Sequence, residues 1–276
     1  MNENKKNRGL IVLVVILVLA LVVTSGYIVY DKFIAKEEVE EKNKDNKKDE
    51  VSEETQDELV EVDVNSEEIQ TLFTNISNGL TSYCGVNNYY QDKKVLASDL
   101  SNDLVFDIAL SQIYREKQAQ GIEYPFSQIG DAFTASELET KIRNTFGKNY
   151  SFTHRTINSC PIFEYDSANQ KYVINTPPAC GGTCGPTNLK KVVRALKNNQ
   201  SIELYVRVLF AGGASATDYY KDYNKTQKVE GLELDSNTTF PIESDNNVAK
   251  GSLYKLTFSN EDGSYVFVSS ELVVES

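Results

Sequence analysis

A chain of 276 residues with a formal charge of -12, 16 tyrosines, 12 phenylalanines, one histidine and no tryptophan has room for one ordinary folded domain or two small ones. Fourteen acidic and six basic residues between Asp31 and Asn65 supply -8 of that charge, so the 211 residues after Asn65 carry only -6. Such a surface has no basic stripe to neutralise phosphates, which excludes a nucleic-acid partner.

Residues 1–9 hold Lys5, Lys6 and Arg8 against one acid, Glu3, and are followed by an uninterrupted apolar run from Leu10 to Tyr30. At about 1.5 Å of rise per residue, that run is long enough to cross a hydrocarbon core as a helix. The basic flank places the N-terminus in the cytoplasm and the bulk of the chain outside. The membrane is thus the first expected partner, through a single-pass anchor over 10–30. The competing expectation is a cleaved signal peptide, since Val23-Thr24-Ser25 before Gly26 is a small-residue site. Tyr27-Ile28-Val29-Tyr30 argues for the retained anchor by adding length and interfacial tyrosines.

Residues 31–65 are charged and poor in aromatic and large aliphatic side chains, so they bury too little apolar surface to offset the entropy of ordering. A solvated spacer is expected, with a root-mean-square span of roughly 30 to 35 Å. A cation-binding or partner-binding acidic tail is the alternative, although no calcium-loop spacing is present.

The folded part, 66–276, begins with helical patterns. Asn65 is placed to cap a first helix with Glu68 three residues on, Val64 to staple onto Ile69, and Ile69, Leu72, Phe73, Ile76 and Leu80 form one apolar stripe. A second helix over Leu100 to Lys117 is apolar around more than half its circumference and is expected to be central. The third carries a capping box at Thr134 and Glu137, a staple between Phe133 and Leu138, and a stop at Gly147.

Beyond Lys148 the apolar period becomes two, and β-branched and aromatic residues dominate. Tyr150 to Ile157 reads as a strand carrying His154. Hairpins follow at Ile162 to Tyr165 with Lys171 to Ile174, Lys190 to Leu196 with Ile202 to Phe210, and Leu253 to Phe258 with Tyr265 to Ser269. The last is joined by Asn260-Glu261-Asp262-Gly263. Lys190 to Leu196 also fits a helix. The fold class expected is therefore α+β: a transmembrane helix, a charged linker, then about three helices on one face of a mostly antiparallel sheet of about five to six strands. In outline this resembles cystatin-like and nuclear-transport-factor-like cones.

Between the second and third hairpins, Ala211 to Lys250 is too long for a simple connection. Its Tyr219, Tyr220 and Tyr223, beside Lys221 and Asp222, suit stacking on a sugar or gripping a peptide; the alternative is that they fasten the loop to the sheet.

Cys84, Cys160, Cys180 and Cys184 all fall outside the membrane on this topology, where disulfides persist. Ile162 should oppose Asn175, which brings Cys160 close to Pro177, so Cys160 is expected to bond Cys180 or Cys184 and Cys84 to tie the helical half to the rest. Three residues separate Cys180 from Cys184, which is not the C-x-x-C of a dithiol oxidoreductase. No metal site and no cofactor are expected. His154 must serve any Cys-His hydrolase, and its position after Cys84 is similar in order to cell-wall peptidases of the cysteine class. The expected function is a non-catalytic binding or interaction module at the cell surface, taking an extracytoplasmic protein or a wall polymer. The alternative is a cell-wall hydrolase using Cys84 and His154. Proximity of those two residues in a cleft would mark the hydrolase, and an apolar patch on the outer sheet face would mark the binding module.

Overall fold

The computed structural model describes residues 57–77, 89–176, 188–212, 218–236 and 241–275. No helix among them is long and apolar enough to cross a membrane; Leu10 to Tyr30, on which the anchor expectation rests, lies outside the described residues.

The class is α+β with antiparallel sheets and few helices. Strand β1 (Val60–Glu61) precedes helix α1 (Glu67–Ser77). Next come β2 (Val95–Leu96), a 3₁₀ turn at Ala97–Asp99, and α2 (Asn102–Ala119). Strand β3 (Ala132–Thr134) leads directly into α3 (Ala135–Phe146). The strand-rich half holds β4 (Glu164–Asp166), β5 (Lys171–Val173), β6 (Leu189–Lys197) and β7 (Ser201–Ala211). It continues with β8 (Tyr219–Tyr220), β9 (Lys228–Val229), the short helix α4 (Asp245–Val248), β10 (Ser252–Glu261) and β11 (Ser264–Leu272).

There are two sheets rather than one of five to six strands. The larger runs β1-β6-β7-β10-β11-β2, with β8 and β9 branching from β7, and the smaller runs β3-β5-β4. The 162–174 hairpin thus leaves the main sheet. It pairs instead with β3, whose Phe133 stacks on Tyr172 at 4.9 Å. β3 occupies the residues just before α3, so a segment whose local pattern suits a helix entry also makes a non-local pairing.

The second helix is central as expected: Val105 through Ile113 are all buried. α1 starts two residues after the expected cap, since the Gln70 N–H bonds the Ser66 carbonyl at 3.0 Å and makes Ser66 the capping position. Leu80 lies outside the described residues. α3 follows its sequence signature, with Thr134 and Glu137 bonding each other's backbone N–H and Gly147, at φ 99°, ending the helix. Thr134→Ala should cost about 1 kcal/mol, read as a lower urea midpoint at unchanged slope. An unchanged midpoint would mean that α3 is held by packing alone.

Residues 57–65, expected as the end of the linker, join the sheet. Val60 and Glu61 pair with Lys197 and Leu196, and Val62 and Val64 pack on the core. Val60 to Val64 alternates apolar and acidic residues, and period two suffices for an edge strand. Tyr150 to Ile157, expected as a strand, makes only an isolated bridge between Ile157 and Phe163. Its side chains dock instead: Phe152 meets Phe106 edge-on at 6.2 Å.

Alternation along β7 and β10 sets the two faces. Ile202, Leu204, Val206, Val208, Tyr254, Leu256 and Phe258 share one buried cluster with residues of α1, α2 and α3. The three helices therefore cover one face. On the other, Lys255 Nζ lies 3.2 Å from Glu203 and 2.9 Å from Glu271, and the Arg194 guanidinium sits over Tyr205. That face carries a charge ladder where an apolar patch would have marked a docking surface. At its far end Leu189, Leu209 and Ala211 meet Tyr219 and Val248 in a second, small apolar cluster.

One cation is sunk on the core side. Lys190 pairs with Val208 and sends Nζ 2.7 Å to the Ser77 carbonyl at the end of α1. Burial lowers its pKa to about 8, partly opposed by Glu243.

Candidate functional site

The excursion from Ala211 to Lys250 builds one wall of a cleft. Tyr219 and Tyr220 extend β7 through Ala211 and Phe210, then pair with Val229 and Lys228, so the residues between them form a closed loop. Asp222 closes it. Its carboxylate accepts from the backbone N–H of Thr226 at 3.0 Å and of Gln227 at 2.6 Å, and from the Thr226 hydroxyl at 2.9 Å. Burial pushes the Asp222 carboxyl up, but these donors outweigh it and hold it below the usual carboxylate range.

Lys221, Asp222, Asn224, Thr226 and Gln227 wall one side of a cleft of about 400 Å³. Asp92 forms the other side, and Ser252, Leu253 and Leu272 through Glu275 complete it. Asn224 donates to Asp92 across the rim. Glu275 is clamped by both terminal nitrogens of Arg207, which hold its carboxyl low. The cleft is therefore lined by fixed acceptors, amide donors and hydroxyls above an aliphatic strip.

Behind it, Tyr254 is fully buried, and its hydroxyl has no hydrogen-bond partner among the described residues. Burial raises its pKa first, and the Asp92 and Asp222 carboxylates raise it further, so the phenol keeps its proton.

The three tyrosines proposed as a binding platform are turned inward. Tyr219 is buried in the second apolar cluster, and burial pushes its pKa up to about 12. Tyr220 and Tyr223 are half-buried against the main core, with Tyr223 edge-on to Phe210 at 6.0 Å. Of the five residues from Tyr219 to Tyr223, the cleft is lined by Lys221 and Asp222. This packing matches the sequence reading in which the rings fasten the loop to the sheet; the signal for the loop itself was an aspartate followed at four and five residues by amides it can cap.

His154 is enclosed by other groups. Its ring stacks on Tyr165 at 4.9 Å, Nδ1 lies 2.8 Å from the Tyr172 hydroxyl, and Nε2 lies 2.9 Å from Glu139. With Nε2–H donating to the carboxylate, Nδ1 accepts from Tyr172, whose proton is retained because burial raises its pKa. Both ring nitrogens are occupied, whereas a base for a thiol needs one free. Cys84, the other half of that pair, lies outside the described residues, as do Cys180 and Cys184.

Cys160 precedes a cis peptide to Pro161. The hairpin register runs from Glu164 opposite Val173 to Asp166 opposite Lys171, so the expected pairing of Ile162 with Asn175 lies beyond the paired residues. An Asn175 amide donating to Glu164 at 2.8 Å holds the strand ends together there. Among the described residues no group of three or more histidine, cysteine, aspartate or glutamate side chains could hold a metal ion. No protein-family model matches this chain, and no curated protein or solved structure matches it either.

Proposed function

We propose that this chain is a membrane-anchored extracytoplasmic module that binds a hydroxyl-rich wall polymer, without catalysis, in the cleft beneath the 221–227 loop. The observation that carries the reading is the composition of that cleft. Asp92, Asn224, Thr226, Gln227 and Ser252 alternate acceptors and donors, which suits sugar hydroxyls that both give and take hydrogen bonds. Leu253, Leu272 and Val274 offer aliphatic surface to the CH face of a ring. The location rests on the Leu10 to Tyr30 run and on the four cysteines, for which we propose two disulfides, Cys160 joining Cys180 or Cys184. Wall hydrolysis through Cys84 and His154 draws no support from the surroundings of His154.

The test is binding of isolated wall polysaccharide to the full chain in detergent micelles. Asp92→Ala and Gln227→Ala should each weaken binding about tenfold, the loss of roughly one hydrogen-bonded contact. Peptide mapping of the same preparation without reductant should recover no free thiol. Equal affinity in both variants would place the ligand elsewhere, and no binding by the parent chain would remove the reading.

A further inference from the structure

We propose that the loop joining α2 to β3, residues 121–130, rests in the interfacial layer of the bilayer and sets the orientation of the folded part on the membrane. The proposal depends on the membrane-anchored reading of Leu10 to Tyr30, but not on the cleft.

Within eight residues this loop exposes three large apolar side chains, Ile122 at 46%, Tyr124 at 68% and Ile129 at 59%. No other stretch of that length among the described residues carries three. Apolar exposure concentrated in one short loop in this way is a feature of contact surfaces.

The loop is also held. The Ile122 N–H bonds the Lys117 carbonyl at 3.1 Å, and the Gly130 N–H bonds the Ile174 carbonyl at 2.8 Å, so both ends are pinned. Between them Phe126 adopts φ 63°, a region that bulky residues avoid, while its ring is locked against Tyr114, Phe133 and Phe163. Backbone held in this state by surrounding packing is a recurrent feature of functional loops. Here it keeps Tyr124 and its isoleucine neighbours turned to solvent while Phe126 stays in the core.

The bilayer is the occupant favoured over a protein. Twenty-six residues separate Tyr30 from Asp57, and fully extended they reach at most about 90 Å, so the folded part stays near the surface it is tethered to. An isoleucine pair flanking a tyrosine suits the headgroup level, where an aromatic ring is apolar on its face and wet at its hydroxyl. Lys117, whose ammonium lies over Phe126, stands at the base of the loop as a cation suited to lipid phosphate, and Glu123 is the only acid among residues 121–130.

The chain has no tryptophan, so Tyr124→Trp provides a single reporter at an exposed position. The full-length variant is reconstituted into phosphatidylcholine vesicles, with and without bromine on the upper acyl chain. The expected result is emission shifted to shorter wavelength and quenched by the brominated lipid, with both effects lost when Ile122→Ser and Ile129→Ser are added. An indole that brominated lipid leaves unquenched while acrylamide reaches it overturns the proposal. So does one protected from acrylamide in native membranes yet unquenched by brominated lipid, which indicates a protein occupant. Extraction with alkaline carbonate separates the two readings: a chain released from the vesicles refutes the anchor and this proposal together. A chain that stays while the indole reports water refutes the loop alone.

Discussion

Replacing Gly251 with alanine is expected to lower stability by about 3 kcal/mol or more, the upper range for forcing atoms into a filled interior. A Cβ built there would lie 2.4 Å from the Val208 carbonyl oxygen and 2.6 Å from its carbon. Both are backbone atoms of the central strand β7, so relief requires β7 and β10 to part where Ser252 pairs with Val208. The same glycine donates to the Val248 carbonyl and accepts from Arg207, so its displacement disturbs α4 and the clamp on Glu275 as well. Urea unfolding is the measurement. A variant melting with the parental midpoint would show that the strands close differently there.

Lys190→Met should have the next largest effect, in the opposite direction. The folded state lowers the lysine pKa to about 8 from an ordinary value of 10.5. Below pH 8 both states hold the proton, and the folded state bears the full cost of a buried charge. Between pH 8 and 10 the unfolded chain binds more protons than the folded one, so stability of the parent rises with pH. A displacement of that size corresponds to about 3 kcal/mol, from which roughly 1 kcal/mol is subtracted for the lost bond to the Ser77 carbonyl. The variant should therefore be more stable at pH 7 by about 2 kcal/mol and lack the rise between pH 8 and 10. Above pH 10 both proteins should weaken, because Tyr172, Tyr219 and Tyr254 hold their protons in the folded state beyond the point where free tyrosine loses them. A parent whose stability is flat from pH 8 to 10 would show that the amine is solvated.

Local physics decided what could be read in advance. α3 was legible because its start, staple and stop lie within fifteen residues and each acts on its neighbours. The β10–β11 hairpin was legible for the same reason: Asp262 and Gly263 at φ 53° and 89° make the two-residue turn that their sequence favours. β6 was ambiguous for a reason visible in its register. A bulge between Val192 and Arg194 turns Val192 and Ala195 to the same face, three residues apart, which imitates a helical stripe. In the small β3-β5-β4 sheet the β4–β5 hairpin was legible from its local turn, but the pairing with β3 was not, since it links residues about forty apart whose patterns already satisfied other local readings. The cleft was less legible still. Asp92, just before β2, and the 221–227 loop, just after β8, approach only through the sheet that carries both strands, and no spacing rule connects them. The tyrosines drew attention as exposed chemistry, yet a residue type that stacks on ligands also packs well on a sheet, and composition does not separate the two uses.

The two apolar clusters on opposite faces of one sheet divide its labour. The large one, shared with α1, α2 and α3, packs β6, β7 and β10 against the helices. The small one, built on Leu189, Leu209 and Ala211, serves only to seat the excursion that carries Tyr219 and Val248. Substitutions in the 221–227 loop, Tyr223 excepted because it packs on the large cluster, therefore act on a tenant of the sheet while its foundations stay put. Such a separation lets the rim of the cleft diversify its chemistry without revisiting the question of whether the chain folds.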